Sequence, residues 1–129
     1  MSTTGLEVFD KTLQSTHIWL DEIMDDIGPD RHLAWKVLTT VLQALRDRLP
    51  VELAAHFGAQ LPLLVRGGFY AGFDPSKMPT QWHTAEEFRH HIAANLADAR
   101  AVGAIDAIDA VVGVLDRHLS PGQGGKVYR

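Results

Sequence analysis

Cysteine is absent from the 129 residues, which removes disulfides, thiolate nucleophiles and every zinc or iron-sulfur site built on sulfur. Positive charge is also short: 12 Lys and Arg against 16 Asp and Glu leave a formal net charge of -4. Binding to phosphate backbones draws on a basic stripe that releases counterions, so no nucleic-acid partner is expected. No run approaches the roughly 20 apolar residues of a membrane span. The opening MSTTGLEVFDK lacks the basic start and apolar stretch of a secretion signal. No membrane partner is expected, the expected location is cytoplasmic, and no cofactor is implied. What the chain does have is 46% hydrophobic and 22% charged residues, a balance that suits one globular domain with a single core.

The hydrophobic spacing predicts an all-α fold, an antiparallel helical bundle of five main helices. Thr4 and Glu7 have capping-box spacing, and Phe9, Leu13, Thr16, Leu20, Ile23 and Ile27 form the expected buried stripe of the first helix, stopped by Gly28-Pro29. Asp30 is placed to cap the second helix. Its stripe is Ala34, Leu38, Val41, Leu45 and Leu49, with Val37 and Leu42 widening it; His32, Lys36, Thr39, Gln43, Arg46 and Asp47 are expected on a solvated face.

Pro50 opens the third helix, with Leu53, Phe57, Leu61 and Leu64 on the side expected to be apolar. Pro62 must bend it or break it near Leu61, where Gly58 leaves room, and paired glycines at Gly67 and Gly68 are expected to end it. An aromatic loop follows. Thr84 and Glu87 cap a fourth helix carrying Phe88, Ile92 and Leu96; Ile105, Ile108, Val112, Leu115 and Leu119 mark a fifth.

The second and fifth helices match at an offset of about 70 positions, ALRDRLP against VLDRHLSP, each closed by a proline. This divides the single helical domain into a first unit over 1–66, the aromatic loop over 67–83, and a second, shorter unit over 84–129 with a frayed tail. At LRDRLP, GAQLP and RGGFYAGFDPSKMPT, with FDKTLQSTHIWLDEIM before them, the chain resembles the bacterial family called domain of unknown function 2267. The resemblance implies a helical fold and brings no catalytic residues. A last helix after the second copy would be expected from the family, and GQGGKVYR departs from that.

Several residues could carry chemistry. His56 shares a helix face with Glu52 and Gln60, as a solvated pair with Glu52 or as a ligand or proton relay. In HTAEEFRHH, His83, Glu87, His90 and His91 offer metal-ligand types, and Glu87 with His90 has the Glu-x-x-His spacing of carboxylate-bridged bundles. His90, however, projects opposite the Phe88-Ile92-Leu96 stripe, toward solvent. His17 reads as a boundary residue, and Asp106 with Asp109 suits a helix start. GQGGK lacks the Ser or Thr and the leading strand of a phosphate loop. Phe69, Tyr70, Phe73 and Trp82 either fold back over the core or form a binding surface. The expected function is a noncatalytic interaction or accessory module acting through the third helix and aromatic loop, with a protein partner or by self-association as a homodimer. The alternative is a small-molecule or divalent-metal-binding protein using the His/Glu cluster or the loop.

Overall fold

The structure, a computed structural model, describes residues 3–79, 84–96 and 103–119. Among these residues there are six α-helices: α1 (Glu7–Ile27), α2 (Arg31–Asp47), α3 (Val51–Gly58), α4 (Leu63–Tyr70), α5 (Ala85–Asn95) and α6 (Ala104–His118). A single 3-10 turn lies at Pro75–Lys77, and no strand occurs among the described residues. No helix among the described residues is long and apolar enough to cross a membrane.

The all-α expectation holds, and the count rises from five to six because Pro62 breaks the expected third helix. Pro62 sits at φ -54°, ψ 148° as the N-cap of α4, and Pro50 holds nearly the same angles, φ -55°, ψ 148°, before α3. Proline lacks the N–H that a continuing helix would use and disfavours the helical region for the residue before it. Arg66 closes the break by donating from one guanidinium nitrogen to the carbonyls of Ala59 at 3.2 Å and Leu61 at 3.0 Å.

The expected stop at Gly67-Gly68 is incorrect: α4 runs through both glycines to Tyr70. Helix interiors tolerate glycine when its bare Cα serves packing. A Cβ on Gly68 would lie 2.9 Å from a Thr39 methyl and 3.1 Å from the Trp35 ring, so this glycine lets α4 press against α2. Caps divide similarly. Asp30 accepts from the Leu33 N–H and Thr84 from the Glu87 N–H, both at 3.1 Å, as expected. Thr4 does not cap α1; its hydroxyl accepts from the Leu6 N–H at 3.2 Å after the chain turns at Gly5, φ +85°, and Leu6 holds the N-cap position.

α2 is the central element, with α1, α4, α5 and α6 all packed on it. Val37, Leu38, Val41, Leu42 and Leu45 are fully buried there, joined by Phe57, Phe69, Phe88 and Leu115 from the surrounding helices. Positions paired by the 70-residue offset are buried in both copies at Leu38/Ile108, Val41/Val111 and Leu45/Leu115, while half-buried Trp35 faces an exposed counterpart, Ile105. The expected stripes need further correction: Phe9, Leu13, Leu53, Leu64 and Ile105 are exposed. The buried face across α3 and α4 runs instead through Ala54, Phe57, Leu61, Val65 and Phe69.

Candidate functional site

The α2 face expected to be solvated is where α4 and the following aromatic segment dock. Arg46 is buried, and its Nη1 donates to the carbonyls of Phe69 and Ala71, each at 2.8 Å. Its Nε and Nη2 form a two-point pair with the Asp47 carboxylate at 2.7 and 3.1 Å, and the guanidinium lies 5.5 Å from the centre of the Phe73 ring. Gln43 adds an amide bond to the Gly68 carbonyl at 2.9 Å. A helix end leaves its last carbonyls without intrahelical partners, and the forked, permanently charged guanidinium can satisfy several acceptors at once. Arg46 is therefore the C-terminal cap of α4, delivered from another helix. The LRDRLP and GGFYAGF segments, remote in sequence, are two halves of one structural joint.

This joint places three of the aromatic candidates, Phe69, Tyr70 and Phe73. Phe69 is fully buried and offers no surface; it contacts Phe57 at 5.6 Å and Tyr70 edge-on at 4.9 Å between ring centres. Tyr70 and Phe73 are half-buried, edge to face at 5.4 Å, and the Tyr70 hydroxyl reaches the Ala55 carbonyl at 3.5 Å. Phe69, Tyr70 and Phe73 thus lie back against the core. Trp82 and His83 lie outside the described residues.

Of the polar candidates, Glu87, His90 and His91 line one open groove on α5 together with Thr84 and Glu86, and His56 stands apart on α3. His56 is exposed on α3, while Glu87 and His90 are exposed on α5. His91, half-buried, has its Nε2 3.0 Å from the Asn95 amide nitrogen. Burial lowers its pKa, opposed by the nearby negative charge of Asp47. Among the described residues no group of three or more His, Asp or Glu is placed to hold a metal ion.

A different cluster, unseen in the sequence, joins α1 to the end of α6. Glu22 accepts from Arg117 Nε at 2.5 Å and from His118 Nε2 at 2.7 Å, and the His118 ring stacks on Trp19 with centres 5.6 Å apart. Burial works to raise the Glu22 pKa, but the hydrogen bonds from His118 and Arg117 outweigh it and hold the carboxyl below its usual value. Its members are separated by 95 and 96 positions, so no local spacing could reveal it.

The remaining candidate is a strip of apolar surface. Val8, Phe9 and Leu13 on α1 are 54%, 48% and 40% exposed, and Leu63 and Leu64 at the start of α4 are 49% and 42% exposed. The Leu64 N–H donates to the Thr12 hydroxyl at 2.9 Å, which ties the two helices side by side. A groove of about 340 Å³ separates them, with Val8 and Leu63 on its walls and Lys11, Ser15, Gln60 and Arg66 around it. The strip continues the buried α1 stripe of Thr16, Leu20 and Ile23 beyond the body of the bundle.

The family model described as uncharacterized conserved protein (DUF2267) matches residues 16–129. Among curated proteins, none matches the chain. The chain belongs to the DUF2267 family.

Proposed function

We propose that this DUF2267 protein is a noncatalytic interaction module, and that it docks a protein partner on the strip formed by Val8, Phe9, Leu13, Leu63 and Leu64. The observation that carries this reading is five half-exposed aliphatic and aromatic side chains on two helices tied together by the Thr12-Leu64 bond, with Val8 and Leu63 facing each other across one groove. Contiguous apolar surface of this kind, rimmed by polar groups, is characteristic of association sites. The family match begins at residue 16, the first buried position of α1, so the α1 part of the strip lies outside the matched region. The docking surface is shifted from the aromatic segment, where Phe69 and Phe73 are engaged at the Arg46 joint, to the outer halves of α1 and α4.

Photo-crosslinking tests the reading. A benzophenone side chain placed at Leu13 or Leu63, in cells that make the protein, is expected to yield a discrete protein adduct, and the same probe at exposed His90 is expected to yield none. Absence of an adduct from both strip positions, or equal adducts from His90, overturns it.

A further inference from the structure

We infer that α1–α2 and α5–α6 are two copies of one helical hairpin facing each other about a twofold axis, each seating the end of its second helix on an aromatic ring of the other copy's first helix. None of the docking-strip residues takes part. The second helices match at an offset of 70 and the first helices at 69, where Trp19, Ile23 and Ile27 fall on Phe88, Ile92 and Leu96. All six are buried or half-buried. The contacts between the copies then correspond. The His118 ring at the end of α6 stacks on Trp19 of α1, 5.6 Å between centres, and the Arg48 guanidinium at the end of α2 lies 5.1 Å from the centre of the Phe88 ring of α5. Arg48 is the image of His118 and Phe88 is the image of Trp19, so one contact is made twice, in opposite directions. Such an exchange is the mark of a twofold relation; a tandem stack would give one contact without its reverse. Helix packing follows the same rule: α1 packs on α6 as α2 packs on α5, and α2 meets α6 between them.

The two seats are alike, but their neighbours differ in sign. Glu22, beside Trp19, accepts from Arg117 and His118. Its image is His91, and the image of Arg117 is Asp47, whose negative charge acts on His91 at the second seat. A first hairpin paired with another first hairpin would keep a ring contact, Arg48 on Trp19. It would also turn Asp47 toward Glu22, and that carboxylate, bonded to Arg46, has no hydrogen to donate. Positions 48 and 118 therefore attach one copy to the other, while positions 47 and 117 favour the unlike copy. The copies also differ on their outer face. Gln43 and Arg46, which bond the carbonyls at the end of α4, fall on Gly113 and Asp116. An ionised aspartate cannot donate to a helix end, so α6 offers no seat for a second α4, and Ile105 is exposed where its image Trp35 is half-buried.

Urea unfolding of the full chain tests both parts. Arg48→Ala and His118→Ala are each expected to lower the folding constant about three- to tenfold. The exchange R48H/H118R, which puts each side chain on the other's seat, is expected to stay within about threefold of wild type, since both seats accept a planar nitrogen-bearing group over a ring. Arg117→Asp, which gives α6 the residue of the equivalent α2 position, is expected to lower the folding constant more than Arg117→Gln. E22K/R117D is expected to regain at least half of that loss on a logarithmic scale, because the two positions lie on different hairpins and couple only across the interface. An exchange variant that fails to fold, or is no more stable than R48A/H118A, overturns the equivalence of the two seats and with it the paired hairpins. Equal effects of R117D and R117Q, or an E22K/R117D chain no more stable than R117D, overturn the preference for the unlike copy.

Discussion

Arg46 holds three segments at once, and each of its bonds is replaceable only by another forked cation. Replacing it with methionine leaves the Phe69 and Ala71 carbonyls and the Asp47 carboxylate without their donor, a loss of about 2–4 kcal/mol. A urea titration of Arg46→Met is expected to show this. Arg46→Lys is expected to recover less than half, since a point ammonium cannot span both carbonyls and the carboxylate. The adjacent glycines of α4 make a sharper comparison. Gly68→Ala puts a methyl against Thr39 and Trp35 and is expected to cost about 1–3 kcal/mol. Gly67→Ala meets nothing within 4 Å and is expected to stabilise by about 0.5–1 kcal/mol through helix propensity. Opposite shifts of the two thermal midpoints check the pair.

Glu22 and His91 both contribute to the acid limb of stability, since both have lowered pKa values in the folded chain. For His91 the unfolded chain takes up a proton first, so stability is expected to decline as pH falls below about 6.5. For Glu22 the stabilisation is complete above the ordinary glutamate range and is lost as pH falls through its depressed folded value. Unfolding of wild type, His91→Asn and Glu22→Gln from pH 3 to 8 is expected to lose the first decline in one variant and the second in the other.

At the scale of elements, the two capping-box spacings carry the same residue types and behave differently. Thr84 bonds the Glu87 N–H and opens α5, whereas Thr4 turns with Gly5 and leaves Leu6 as the N-cap of α1. Thr84→Ala is therefore expected to lower stability by about 1 kcal/mol, and Thr4→Ala by less than about 0.5 kcal/mol, in the same urea assay. The spacing of Thr and Glu records that a cap can form; whether it does depends on the angle at which the chain enters the helix. Pro62 is the converse case. That it bends or breaks its helix was legible in the sequence because missing N–H and fixed φ are properties of the residue itself, and the structure takes the break.

At the scale of the whole molecule, one core centred on α2 makes unfolding a single cooperative event, and the outer turns of α1 add little to it because their apolar face is half-exposed. A chain lacking residues 1–11 is expected to keep its helical spectrum and one sharp unfolding transition, measured by circular dichroism. Loss of the fold would show instead that the α1–α4 contact is part of the core.

The sequence by itself determined the helical class, the Asp30 and Thr84 starts, the proline boundaries, and the buried stripes of α2 and α5, because periodicity, caps and proline act within a turn or two of chain. Only the tertiary structure decided that Arg46 is interior, that Gly68 is a contact rather than a stop, that Phe69 is core, and that Glu22 meets Arg117 and His118. It likewise decided which part of the α1 stripe is covered, since a stripe at helical spacing looks the same whether a neighbour reaches it or ends short of it. Burial is a relation between elements, and local pattern carries only one side of that relation.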